Sequence, residues 1–467
     1  MAYFKRKFTI LLLLLAAVAV AASWWAFRNH FPNTFDRKTV DTAEVQQLAS
    51  VDLSQKNQRD PSVNVGQEWP QFLGPFRNGW VSPVGFRTNW NEKPPQQLWT
   101  APCGGGFASC CVTGGKLYTH DKLEDQERVL CLNAETGAVL WQHAYAVDYS
   151  GMKKGYANGP RATPAVHDGR IYALGATGKL LCLLEPTSPG APPAVAWEKD
   201  LVAVFRARSP EWGIASSPLI EGDTVIVQPG ARGASVVAFD RKTGETRWKT
   251  GDDLSGYSSP VAATLGGVRQ IVAVTGQSVL GLRVNDGTEL WRYPWKTQFE
   301  GNVASPVIVG DYVFVSSAYN KGCALLHVAS ASADRVNMKP VYFLPNELMR
   351  THHNTVMHKD GFLYGYDDQV LRCIDMREQT NVFEWAGSDH ADISKTKGTL
   401  ILVGDHLVGL TQKGTLFLAE ANPKELKVLG KIEKALSGSE CWAVPVVVRG
   451  RIYIRDQSTI VCYDAKE

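Results

Sequence analysis

The chain has 467 residues, with 49 basic and 46 acidic side chains and a net charge of +3. That balance gives no case for nucleic acid or for a general polyanion as partner. The 399 residues after position 68 are too many for one β-sandwich and suit a single large repeat domain.

The first predicted element is a targeting segment, residues 1–28. Lys5-Arg6-Lys7 precede an apolar run from Phe8 to Phe27, which is 20 residues and long enough to span a bilayer. Ala19-Val20-Ala21 resembles a cleavage site. Trp24 and Trp25 instead suit an interfacial aromatic belt, with Arg28 following, which favours an uncleaved anchor. Either way the basic flank stays inside, so the rest is expected outside the cytoplasmic membrane, facing the periplasm or an equivalent space. Residues 29–68 are polar, with few large apolar side chains, and read as a flexible tether.

From residue 69 to 467 one cassette recurs. A small-residue/Pro step leads into a short apolar run, a Gly turn and a second run. A third run follows, then Thr-Gly or a relative, then Trp. The clearest copy runs from Ala215-Ser216-Ser217-Pro218 through Gly222-Asp223 and Thr243-Gly244 to Trp248. Others end at Trp141, Trp197, Trp291 and Trp385. Strand–turn–strand content at a period of roughly forty to fifty residues predicts an all-β propeller of four-stranded blades. The Trp, always in the same place, is read as a plug between blades, with an indole N–H that needs an acceptor. Tyr342-Phe343 and Val428-Leu429 take that place in two degenerate units.

Eight segments lead into inner strands: Phe107, Ala162, Ala215, Tyr257, Asn302, Asn354, Gly398 and Trp442. The last unit stops at Cys462-Tyr463-Asp464 without an outer strand, while Gln97-Leu98-Trp99-Thr100 is an orphan outer strand ahead of the first. Together they make one blade, close an eight-bladed ring and remove an exposed edge.

Nine cysteines in an exported chain invite disulfides, but Cys131, Cys182, Cys373 and Cys462 share one place in their units and read as small buried hydrophobes, with Cys323 as a further match. No Cys/His spacing suits zinc. Gly104-Gly105-Gly106 lacks the spacing of a phosphate loop and reads as a flexible turn.

The cassette resembles the pyrroloquinoline-quinone-type repeat, the blade of quinoprotein dehydrogenases. The stretches Trp69-Pro70-Gln71-Phe72-Leu73-Gly74-Pro75-Phe76-Arg77-Asn78-Gly79, Gly159-Pro160-Arg161-Ala162-Thr163-Pro164, Trp212 to Pro218, Gly256 to Pro260 and Arg455-Asp456-Gln457 resemble membrane-anchored bacterial propellers of this kind, especially planctomycete-type ones. The resemblance implies a fold and leaves three functions open. One is a ligand- or protein-binding module. The second is an alcohol or sugar dehydrogenase using pyrroloquinoline quinone and calcium, with a vicinal Cys110-Cys111 disulfide packed on the cofactor. The third is a scaffold in envelope assembly, as in the propeller lipoprotein of the outer-membrane barrel-assembly machinery. Cys110-Cys111 equally fills the Ser-Pro slot of the cassette. No short segment offers the dehydrogenase set of Glu, Asn and catalytic Asp, and there is no C-x-x-C-H for haem.

In such a ring the lead-in segments converge on the axis, so a site is expected there. They bring Arg161, Trp212, Tyr257, Asn302, His352, Asn354, Lys395 and Trp442 together. Cations, amides and aromatics suit a small anionic, planar or hydroxylated ligand, or a protein partner. Arg161 offers a bidentate grip on carboxylate. By strand alternation at most one of His352 and His353 faces the axis.

Overall fold

A computed structural model describes residues 38–51, 68–153, 158–188, 190–332, 334–346, 348–377, 382–384 and 390–467. Eight antiparallel sheets follow one another around a ring. Blade one comprises Cys111–Thr113, Lys116–Leu123, Gln126–Asn133 and Val139–Ala146. Blades two to seven span 165–200, 219–250, 261–294, 307–345, 357–384 and 398–432. Blade eight takes three strands from 446–464 and its outer strand from Gln96–Pro102. Trp99 lies opposite Cys462 there, so the two ends of the domain close the ring as expected.

The cassette residues fall in one row across each blade. Tyr118, Cys131 and Trp141 are register partners, as are Tyr172, Cys182 and Trp197, and Tyr453, Cys462 and Trp99. The small Cys leaves room for the Tyr and Trp rings to meet at centroid distances of 6.0, 6.1 and 6.0 Å. Two of these rows donate twice to a single carbonyl of the next blade. Trp99 Nε1 and Tyr453 Oη both reach Ala134 O; Trp197 Nε1 and Tyr172 Oη both reach Arg241 O. Three residues beyond that carbonyl stands the Gly of Thr-Gly. A Cβ on Gly137 would lie 2.6 Å from the Trp99 ring, and one on Gly244 would lie 2.7 Å from Trp197. The glycine is therefore required by the neighbour's Trp as well as by its own positive φ. Blade five uses Tyr342, whose hydroxyl donates to Met376 O at the equivalent turn. Cys323 does not match the other cysteines: it pairs with Leu344, and Leu325, two residues on, holds the row position opposite Phe314. Trp385 lies outside the described residues.

Two N-terminal pieces depart from the sequence reading. Within the expected tether, Thr39–Val40 adds a fifth strand beside Tyr342–Phe343 of blade five, and a helix over Thr42–Ala49 follows. Its Leu48 is fully buried, and its buried Glu44 pairs with His327 Nδ1 at 2.8 Å and Lys339 Nζ at 3.2 Å. Residues 69–91 form a plug across one end of the channel. Trp69 bridges to Val112 of blade one, and Pro70 accepts from Val166 of blade two. Arg77 reaches Ser217 and Pro218 of blade three. Trp80–Val81 pairs in parallel with Leu402–Val403 of blade seven, and Arg87 N bonds Ala465 after blade eight. The anchor expected over 1–28 lies outside the described residues. Among the described residues, no helix is long and apolar enough to cross a membrane.

Candidate functional site: an axial cup

With one end plugged, the channel becomes a cup of about 680 Å³ that opens among the lead-in segments, and Phe72 of the plug is among its lining residues. Arg161, Trp212, Tyr257, His352, Asn354, Lys395 and Trp442 all line it, as expected. Asn302 does not. It is fully buried, with Nδ2 donating to Thr275 O and Trp295 O at 2.8 and 2.9 Å and Oδ1 accepting from Ser317 Oγ at 2.8 Å. A buried amide with such partners ties blade four to blade five and has nothing left for a ligand. Asn354 lines the cup, but its amide, in the orientation that satisfies both groups, pairs with the N–H and C=O of Tyr366.

Both histidines line the wall, against the alternation argument, because 351–356 is not a strand. The rings stack in sequence. Phe107 meets Trp442 at 4.8 Å, Trp442 meets His353 at 3.9 Å, and His353 meets His352 at 3.9 Å. His352 then meets Tyr319 edge-on at 5.1 Å, Tyr319 meets Trp212 at 6.2 Å, and Trp212 meets Tyr257 at 5.2 Å. The Arg161 guanidinium sits 5.3 Å above Phe107. The aromatics of the mouth therefore contact one another in a chain of stacked, tilted and edge-on pairs, and the belt fixes the mouth's shape.

Charge distinguishes the cup further. Lys397 donates to His352 Nδ1 at 2.6 Å, which leaves Nε2–H to donate to Tyr319 Oη at 3.1 Å. Burial and then Lys397 hold His352 down to about 4; burial, His352, Lys397 and Arg161 hold His353 well below its ordinary value. Both imidazoles are thus neutral near pH 7. Lys397 lies 3.5 Å from Asp368. Lys395 and Lys413 are exposed lining residues with no carboxylate within 4 Å among the described residues. Burial lowers the Arg161 pKa, partly opposed by Tyr149, Tyr257 and Glu440. Among the described lining residues four cations therefore face one carboxylate, Glu440, and only Lys397 has a further carboxylate, Asp368, beside it.

Tyr319, Gln369, Gln412 and Lys413 were not singled out in the sequence. They sit in the turns between second and third strands of blades five, six and seven. Inner strands run away from the mouth and second strands run back, so these turns reach the same rim; that alternation was the available signal.

Cys110 and Cys111 are buried free thiols on or beside the inner strand of blade one and do not line the cup. Cys111 Sγ approaches Pro164 O at 2.8 Å, and burial raises Cys110 to about 12. The cysteine contact expected for a quinone is therefore absent from the wall. A calcium-held quinone does not fit this lining: calcium takes six to eight oxygens, while Glu440 is the sole carboxylate among the described lining residues and the Asn354 amide is committed. Gly104-Gly105-Gly106 is no loose turn either. Gly104 N donates to Asp121 Oδ2 at 2.5 Å, Gly106 N donates to Gln457 Oε1 at 2.8 Å, and buried Arg455 donates to Gly104 O at 3.0 Å.

Eight closed four-stranded blades around a cup define a repeat propeller. The family described as "Outer membrane protein assembly factor BamB" matches residues 87–185 and 125–384, and the chain belongs to that family of pyrroloquinoline-quinone-like propellers. A search of curated proteins finds no match. Among solved structures, BamB from Moraxella catarrhalis superposes with a TM-score of 0.53 at 12% identity, covering 79% of this chain and 97% of that one. Quinohemoprotein alcohol dehydrogenase ADHIIG from Pseudomonas putida HK5 gives 0.53 at 12%, covering 89% and 83%. A computationally designed protein, Ika8, gives 0.50 at 11%, covering 79% and 99%. At these identities the likeness is one of fold.

Proposed function

We propose that this protein is a binding module whose axial cup takes an anionic ligand, presented from outside the cytoplasmic membrane by an N-terminal anchor. The observation that carries the reading is the charge imbalance in a cup closed by the chain itself. Lys397 is paired with Asp368, which leaves Arg161, Lys395 and Lys413 facing Glu440 as the one carboxylate among the described lining residues, inside a volume that suits a ligand of drug-like size. Neutral His352 and Tyr319 add polar groups that fix orientation. The test is calorimetric titration with aromatic mono-, di- and tricarboxylates and with sugar phosphates. Binding that weakens at least tenfold in Arg161→Ala and in Lys395→Ala/Lys413→Ala, with unchanged melting, supports the reading. Affinity indifferent to all three substitutions would sink it.

Family membership favours a second reading, a protein partner in envelope assembly, with an acidic chain segment in place of the small anion. Co-purification from membranes, compared between the wild type and the same lysine variants, separates the two.

A further inference from the structure

Outside the cup, the plug holds a buried charge with no counter-charge. Arg77 is 4% exposed and sits in a left-handed turn, with φ of 53°. Its Nη1 donates to Pro218 O at 2.8 Å and Gln71 Oε1 at 3.2 Å, and its Nη2 donates to Ser217 O at 3.1 Å. These acceptors are all neutral. Among the described residues no carboxylate stands within 4 Å of the guanidinium. Cys111 is the one titratable side chain whose charge would act on it, and burial keeps that thiol protonated. Arg77 Nε has no hydrogen-bond partner. Neither does the next side chain's donor: Asn78 Oδ1 accepts from Trp80 N at 3.0 Å, and Asn78 Nδ2 is buried and unpartnered.

Both residues line a second, small cavity of about 40 Å³ between the plug and blades four, five and six. Thr355, whose hydroxyl accepts from Ser305 N, also lines it. Leaving a buried cation and two buried donors unmatched is costly. Burial already pulls the guanidinium down to about 9. A water would satisfy the donors but not the charge. The size admits one monatomic anion and excludes sulfate with its hydration shell.

We propose that this cavity is a halide site, in which a chloride accepts from Arg77 Nε and Asn78 Nδ2 and locks the plug across the channel floor. The site neutralises Arg77, and so couples anion binding to closure of the cup's base. It does not depend on what the cup binds.

The test is thermal unfolding of the full protein while chloride replaces gluconate at constant ionic strength. A saturable rise in Tm of several degrees is expected, with bromide substituting for chloride. Crystals grown in bromide should show an anomalous peak within hydrogen-bond distance of Arg77 Nε. Substitution of Arg77 itself risks loss of the plug, so the decisive variant is Asn78→Asp. Its carboxylate keeps the bond to Trp80 N and supplies the missing negative charge. Its Tm should equal or exceed the wild type's in gluconate and no longer respond to chloride. A Tm indifferent to halide, an ordered water without anomalous signal, or undiminished halide response in Asn78→Asp would each overturn the proposal.

Discussion

The seam between blades eight and one offers a direct measure of how the ring is held. Trp99 is 8% exposed, its indole N–H bonds Ala134 O at 3.2 Å, and its ring covers Gly137 of blade one. Trp99→Ala removes that ring and leaves a cavity, worth about 3–5 kcal/mol for a large aromatic. Ala134 O is not orphaned, because Tyr453 Oη still donates at 3.1 Å, so no further unsatisfied-acceptor cost adds to this. Gly137→Ala carries two penalties. Its φ of 74° costs an L-residue about 1–2 kcal/mol. Its new Cβ would also stand 2.6 Å from the Trp99 ring, a distance that forces the ring or the turn to move and adds about 1–2 kcal/mol of overpacking. In the Trp99→Ala background the second penalty has nothing to act on. The double variant should therefore be more stable than the sum of the singles by about 1–2 kcal/mol. Urea unfolding followed by circular dichroism reads all four proteins. Trp248 and Gly287, with a Cβ distance of 2.5 Å, give the same cycle away from the seam and should agree. Additivity within about 0.5 kcal/mol at both places would refute the view that Trp and Gly are one joint.

Acid should weaken the mouth. His352 and His353 are neutral in the fold, the first held down to about 4 and the second well below its ordinary value by burial, whereas in the unfolded chain they titrate near 6.5. The unfolded state thus binds more protons, and stability that is full above pH 6.5 is lost as pH falls towards 4. His353→Phe keeps a ring against Trp442 but removes one such group. Between pH 7.5 and 5.5 it should lose about 1 kcal/mol less than the wild type, and an identical pH slope in the two proteins would contradict the burial argument. The cysteines give a chemical check: eight are buried and only Cys103 is partly accessible. A thiol reagent should titrate at most one group in the folded protein, and nine after denaturation without reductant. A count of seven after denaturation would establish a disulfide.

The ring was legible because each blade repeats the residues that join it to the next. Trp99 could be assigned to Cys462 across the whole domain because a Trp without a blade and a blade without a Trp complete each other. The recurrent Cys was legible as small and buried, but its reason, room for Tyr and Trp to meet in one row, needed the register. The plug was not legible. Residues 69–91 have no period, and their hydrogen-bond partners lie in blades one, two, three, seven and eight, so no local pattern announces them. Nothing local in the sequence marks Arg77 for burial, and only long-range folding buries it. Asn302 was assigned to the cup by position, yet an amide at a lead-in segment serves the backbone when two carbonyls come within reach. The paired histidines failed the alternation rule because that rule belongs to strands.

The same closed ring superposes on an assembly factor, an alcohol dehydrogenase and a designed protein, so its blades carry no information about ligand. What is specific to this chain lies where blade chemistry stops. At the floor, a segment that is not part of any repeat lies across the channel, so in the proposed role a ligand would approach from the mouth. At the mouth, Phe107, Trp442, His353, His352, Tyr319, Trp212 and Tyr257 spend their faces on each other. Discrimination then falls to the cations set among them, because stacked rings resist rearrangement while Lys395 and Lys413 reach in from flexible stems. In the proposed binding role, a rigid rim with mobile positive charge would select by the number and spacing of negative groups rather than by ring shape. That is why the double lysine variant, more than any aromatic one, should change which anion binds.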